Sequence, residues 1–324
     1  MNALNGKIIC AAIAVVLIVG GIIYSSKNNE LPLVAIANYG PHASLDASLR
    51  GLQAELRDQG FLEGKTIKYE IADVGFDASI IAQMITKLMA SNPRVMVVKT
   101  TPVAQFAKRK SSDIPLVFCD ITDPIEAGLL KSKGSSCENI TGSSDQEDLE
   151  PFLIFAKTLL PRAKTVGLLY STSESNDAAL LKMMRASTEK VGLSLVAVSV
   201  DQSRDIPMRM QEFRGKVDFI YVGTSGPIQP ALPVITSEAQ KMGIPVFNAE
   251  EQAVIDGLAL ASFGVNYESV GRNAGKLVAK LLRGAAVKDL APAFPTSEDH
   301  RCFVHKKLAE KFGVRIPENA VVVQ

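Results

Sequence analysis

From Leu33 onward the sequence alternates short apolar, β-rich runs with stretches of helical periodicity, and near residue 140 the series begins again. Residues 33–37 (LVAIA) read as a buried strand. Residues 45–59 read as a helix, with Leu45, Leu49, Leu52 and Leu56 on one face and Gly60 as its stop. Strands are expected at 66–72, 95–98 and 115–119, with helices at 78–90 and 103–110. After Asn139-Ile140-Thr141-Gly142, helices are expected at 149–160, 177–191, 228–242 and 270–282, and strands at 165–170, 193–200, 219–222, 244–247 and 258–263. Alternation at this spacing means βαβ units and parallel sheets with helices on both faces. About ten strands exceed one small domain, and 324 residues suffice for two domains of about 100–150 each. The expected fold is therefore α/β, with two doubly wound parallel-sheet lobes.

In such sheets ligands sit beyond the carboxyl ends of the strands, where loops enter helices. Here those loops are rich in hydroxyls, amides and a few acids: Asn38 to His42, Lys99 to Pro102, Asp120 to Pro124, Ser171 to Asn176, Gly223 to Pro227 and Asn248 to Glu251. Any one Ser, Thr, Asp or Asn there also suits an N-cap, and the Glu250-Glu251 pair suits the first turn of a helix. Six such loops on one edge of two sheets point instead to a shared site. Helix N-termini bind carboxylates, and Asp123, Glu174 or Glu250 can take an ammonium, so the composition fits a small zwitterion.

The charge balance excludes a polyanion partner: 35 Lys and Arg stand against 34 Asp and Glu, net +1, with no basic stripe for nucleic acid. Trp is absent, so any stacking on a ligand falls to Tyr or Phe. At the N-terminus, residues 8–24 (IICAAIAVVLIVGGIIY) carry no charge and follow Lys7. The Gly20-Gly21-Ile22-Ile23-Tyr24 end is a poor cleavage site and the length sits at the low edge of a span. The segment reads as an uncleaved signal anchor, with a cleaved signal or lipidation at Cys10 as alternatives; each sends residues 31–324 across the membrane. Cys119, Cys137 and Cys302 read as buried or loop thiols, a Cys119–Cys137 disulfide being the alternative in an oxidising compartment.

Motifs for chemistry are weak. Gly60 to Thr66 is one residue short of a phosphate loop and precedes a strand rather than a helix. Gly223-Thr224-Ser225-Gly226 lacks the spacing of a nucleophile elbow. Strand alternation puts His305 on the opposite face from His300 and Cys302, against a zinc site. No catalytic residue, metal or cofactor is expected.

The order of motifs resembles the ABC transporter substrate-binding protein family, in its TrpX-like, tryptophan/phenylalanine-binding branch. The resemblance rests on His42-Ala43-Ser44-Leu45-Asp46, Thr101-Pro102-Val103-Ala104-Gln105 and Thr122-Asp123-Pro124-Ile125-Glu126-Ala127-Gly128-Leu129. It continues through Asn139-Ile140-Thr141-Gly142, Ser173-Glu174-Ser175-Asn176, Phe219-Ile220-Tyr221-Val222 and Gly264-Val265-Asn266-Tyr267 into Gly271-Arg272. It implies a type I periplasmic-binding fold with a three-crossing hinge: an N-terminal segment at 1–30, lobe 1 at 31–142 plus 265–284, and lobe 2 at 143–264 plus 285–324. In that fold the helix near 267–283 returns to the first lobe and a C-terminal strand near 302–305 joins the second. The implied function is capture of a small polar ligand, an amino acid or similar zwitterion, outside the cytoplasm and its delivery to an ABC permease with its ATPase. A ligand-sensing subunit of a signalling receptor is the alternative. The implied ligand contacts are His42, Thr101, Thr122, Asp123, Ser173, Glu174, Asn176, Thr224, Ser225 and Glu250. One departure matters: the family commonly has Thr-Asp-Asn where this chain has Thr224-Ser225-Gly226, which removes an acid able to meet an ammonium. Glu250, aligned with a usual Asp, is a partial substitute.

Overall fold

The computed structural model describes residues 30–110, 113–137 and 139–324. The apolar stretch at 8–24 and Cys10 lie outside the described residues, and among those described no helix is long and apolar enough to cross a membrane.

The chain builds two sheets flanked by helices. The first has order β2-β1-β3-β4-β5, from β1 (Leu33–Asn38), β2 (Lys68–Asp73), β3 (Val95–Lys99), β4 (Leu116–Ile121) and β5 (Ile140–Ser144). All its pairings are parallel. β1, β3 and β4 are buried along their whole length, which is why they read as unbroken apolar runs rather than alternating ones. β2, on the edge, has no fully buried residue and mixes half-buried with exposed positions.

The second sheet has order β12-β11-β10-β9-β8-β6-β7. Its strands are β6 (Thr165–Tyr170), β7 (Ser194–Ser199), β8 (Phe219–Val222), β9 (Val246–Asn248), β10 (Ala261–Val265), β11 (His300–His305) and β12 (Val321–Val323). β6 to β10 pair in parallel, but β11 runs antiparallel to β10. The sheet is therefore mixed at that edge, where sequence alternation predicts parallel strands throughout.

The helices are α1 (Ala43–Asp58), α2 (Ile81–Ala90), α3 (Thr101–Lys110), α4 (Leu149–Leu159), α5 (Ser175–Val191), α6 (Ile206–Met210), α7 (Leu232–Met242), α8 (Glu251–Ile255), α9 (Tyr267–Leu282) and α10 (Lys306–Phe312). The expected helix at 228–242 is a 3-10 turn at Gln229–Ala231 followed by α7; Pro230 and Pro233 remove backbone donors there, so one regular helix cannot run through. The expected strand at 258–263 starts only at Ala261, because Leu258 and Ala259 give their amides to the Ala253 carbonyl and close α8.

α9 follows β10 of the second sheet yet packs on α1, β4 and β5 of the first. The α1–α9 contact is backbone on backbone. A Cβ on Gly271 would lie 1.8 Å from the Ser48 carbonyl oxygen, and one on Gly51 2.1 Å from that of Glu268. Residues beyond α9 stay with the first sheet for a further stretch: Ser144 N donates to Ala293 O, Ala293 N to Gly142 O, and Thr141 Oγ1 to Leu290 O. The chain then enters β11. Each sheet has its own apolar clusters, and Val265, at the end of β10, already belongs to one of the first sheet's.

Candidate functional site: a cleft between two sheet edges

The strand ends of both sheets face one another across a cleft. From the first sheet come Tyr39 and His42 after β1, Ser44 in α1, Thr100 and Thr101 after β3, Asp120 and Thr122 around the end of β4, and Asp145 after β5. From the second come Glu174 and Asn176 after β6, Thr224, Ser225, Gly226 and Gln229 after β8, Glu250 after β9, and Tyr267 after β10. Leu45, Phe76, Pro102 and Pro230 complete an apolar wall, with Phe76 edge-on to Tyr39 at 5.5 Å between ring centroids. A smaller inner chamber adjoins this cavity, sharing Thr122, Asp145, Asn176 and Thr224 and adding Glu147, Asp177, Leu180, Met183, Tyr221 and Gly223.

Of the residues expected from the sequence, His42, Thr101, Thr122, Glu174, Asn176, Thr224, Ser225 and Glu250 line the main cavity. Asp123 and Ser173 do not. Asp123 Oδ1 accepts from the amides of Ile125 and Glu126, at 2.9 and 3.0 Å, and caps its own turn. Ser173 is exposed and lies 2.7 Å from the Ser171 hydroxyl.

Glu174 and Glu250 behave the other way. Each occupies an N-cap position, yet neither side chain caps its helix. Glu250, 5% exposed, accepts from Ser44 Oγ at 2.8 Å and lies 3.5 Å from His42 Nδ1. Burial raises its pKa, and His42 opposes that rise. Glu174 accepts from Tyr39 OH at 3.0 Å, Gly226 N at 3.1 Å and Asn176 Nδ2 at 3.3 Å. Gly226 makes this possible: a Cβ there would lie 2.5 Å from Glu174 Oε1 and 2.7 Å from Tyr39 Cε1. The bare glycine at 226 thus leaves room for an acid and a phenol from other loops. Ser225 is buried and donates to Asp177 Oδ2 at 2.7 Å.

Sequence reasoning passed over several cavity residues. Asp120 and Tyr39 sit inside loops recognised as strand ends, so the same edge rule points to them. Lys99 and Asp120 form a buried pair, 3.6 Å apart; Ser48 Oγ also donates to Asp120 at 2.8 Å, and the Lys99 ammonium donates to the Leu45 carbonyl. Thr100 (φ 71°) and Asp120 (φ 60°) adopt the left-handed region, a strain of roughly 1–3 kcal/mol each that clusters at functional sites. Asp145 was hidden because the strand before it, ITGSS, has no apolar run to announce it.

The acids at the inner end are held against their ionisation. Asp145 is pushed up to about 7, first by burial and then by Asp120. Glu147 is pushed up to about 8 by burial, although Tyr221 OH donates to it. Asp177 is pushed up to about 7, again by burial first. Six carboxylates (Asp120, Asp145, Glu147, Glu174, Asp177 and Glu250) line the two chambers, against the Lys99 ammonium and the His42 ring. Cys119, Cys137 and Cys302 are free thiols, so no disulfide bridges the first two. Among the described residues no group of three or more His, Cys, Asp or Glu is arranged to hold a metal ion.

Two largely parallel sheets flanked by helices, with a polar cleft between their carboxyl edges, define a periplasmic-binding-protein architecture. The family described as ABC transporter substrate binding protein matches residues 33–324. The chain belongs to that family, which comprises binding proteins rather than enzymes. A tyrosine-binding protein of Clostridioides difficile is 31% identical over 257 residues, 79% of this chain and 74% of that one. A protein from Vibrio cholerae superposes with TM-score 0.86 at 29% identity, over 91% of this chain and 100% of that one. An ABC domain from Streptococcus pneumoniae in complex with L-Trp gives TM-score 0.85 at 28% identity, with the same coverage. The ligand-free, open structure of a Clostridium difficile substrate-binding protein with adhesive properties gives 0.71 at 29% identity, over 91% of this chain and 99% of that one.

Proposed function

We propose that this protein is the extracytoplasmic solute-binding component of an ABC importer, capturing an amino acid with an aromatic side chain and delivering it to a permease and its ATPase. One observation carries the reading: a single cleft combines an acid-lined floor with a wall of Tyr39, Phe76, Leu45 and Pro102. The acids suit an ammonium. Thr101, at the start of α3, and the hydroxyl of Thr122 suit a carboxylate. The apolar wall suits a ring. The relatives that bind tyrosine or tryptophan support the same class.

Capture works by closure of two lobes. The bodies expected from the sequence, residues 31–142 plus 265–284 and residues 143–264 plus 285–324, need one correction: β5 carries the first to Ser144, and the 287–293 stretch packs on the first body rather than the second. Because the apolar clusters of the two sheets are almost separate, what joins the lobes across the cleft is polar: Tyr39 to Glu174, Ser44 and His42 to Glu250, Gln105 to Ser175, Glu126 to Lys182. Interfaces of that kind open and close. The arrangement also lies nearer the L-Trp complex than the ligand-free open structure, at almost equal identity, which supports a closed form. Residues 8–24 hold the protein at the outer face of the cytoplasmic membrane.

Mass spectrometry of ligand retained after gentle purification tests the reading. It predicts one amino acid per chain, with an aromatic side chain. A sugar, or an acid without an amine, would contradict it.

A further inference from the structure

The cleft's acids differ in how completely they are answered. Asp120 has Ser48 and Lys99, Glu250 has Ser44 and His42, and Glu174 has three donors. Asp177 accepts from Ser225 Oγ and from the Ser171 amide. Asp145 Oδ2 accepts from Tyr267 OH at 3.1 Å, while its Oδ1 is buried with no partner. Asn176 Oδ1 is also buried with no partner; its Nδ2 donates to Glu174, which fixes the side of the amide that faces away as the acceptor. Asp145 is 5% exposed and Asn176 7%, and both line the outer cavity and the inner chamber. Two buried acceptors without donors, at the junction of two cavities, are costly unless something donates to them.

Two acceptors that lack donors call for a partner that brings its own hydrogens. A positively charged donor also relieves the repulsion Asp145 feels from Asp120 and Glu250. We propose that the ligand's ammonium group is received by Asp145 and Asn176 at the mouth of the inner chamber, so that Asp145 is the residue that selects for a primary amine. The inference rests on the amino-acid reading above and deepens it. In this arrangement Ser225 holds Asp177 in the chamber wall, and the charge that meets the amine comes from the end of β5.

Calorimetry of the full chain with L-tyrosine and with its des-amino analogue, 3-(4-hydroxyphenyl)propionate, tests this. Wild type should prefer tyrosine. Asp145→Asn, nearly isosteric and still able to accept from Tyr267, should lose roughly thirtyfold or more in tyrosine affinity while keeping or improving its affinity for the analogue. The preference should therefore collapse. Asp145→Ala, run in parallel, should collapse it too and keeps the test decisive if the amide variant misfolds. An unaltered tyrosine-to-analogue ratio in the folded variant would overturn the inference, leaving water as the partner of Asp145, without touching the amino-acid reading. A wild type that binds the analogue as tightly as tyrosine would also overturn it. Binding of neither compound, nor of L-tryptophan or L-phenylalanine, would overturn the amino-acid reading itself.

Discussion

At the scale of single residues, burial of acids dominates the cleft's behaviour. Asp145, Glu147 and Asp177 have pKa values raised to about 7, 8 and 7 in the folded protein, while unfolded carboxyls titrate near 4. Asp120, Glu250, Glu174 and Asp201 add to the rise at one or another of them, and Tyr267, Tyr221 and Ser225 oppose it by donating hydrogen bonds. Between pH of about 4 and about 8 the folded state keeps protons that the unfolded chain has released, so stability falls as pH rises through that window and levels off above it. Scanning calorimetry of ligand-free protein should give a higher Tm at pH 5 than at pH 8, and Glu147→Gln should flatten part of the slope. A Tm that rises across this range in the wild type would contradict the account. The legible part of the cleft's lining is its hydroxyls and acids at strand ends, such as Thr101, Thr122, Thr224 and Ser225. The roles of Glu174 and Glu250 were less so, since an acid just before a helix fits a cap and a cavity equally well, and only the positions of Tyr39 and Ser44 decide between them. Asp123 shows the converse: its motif is prominent, yet its carboxylate serves its own turn.

At the scale of elements, legibility followed side-chain composition rather than burial, for β5 is as fully buried as β1, β3 and β4. β1, β3 and β4 are sandwiched between helices and so are continuous in sequence, whereas β5 is a run of small and polar residues. What makes β5 a strand is pairing with β4 on one side and the Gly142–Ala293 and Ser144–Ala293 hydrogen bonds on the other. The Ala293 contacts span about half the chain, and no local pattern encodes them. The α1–α9 pair is a similar case. Its glycines look dispensable in helices, where they cost about 0.5–1 kcal/mol against Ala, until the close approach of the two backbones is seen. Gly271→Ala should therefore destabilise rather than stabilise, by roughly 1–3 kcal/mol in urea unfolding. Gly134→Ala, where a Cβ meets nothing within 4 Å, should change stability far less. Equal effects at the two positions would contradict the packing described.

At the scale of the whole molecule, the fold separates two tasks. Each sheet keeps its own apolar clusters. The cleft between them is bounded by polar contacts from Tyr39, Ser44 and His42 on one side to Glu174 and Glu250 on the other. Such contacts are individually weak enough to part, and a ligand that bridges both edges tips the balance toward the closed form by its differential affinity for it. Small-angle scattering of the protein with and without saturating L-tyrosine tests this account most directly. The account predicts a smaller radius of gyration when tyrosine is bound. A radius unaltered by ligand that calorimetry shows to be bound would contradict it.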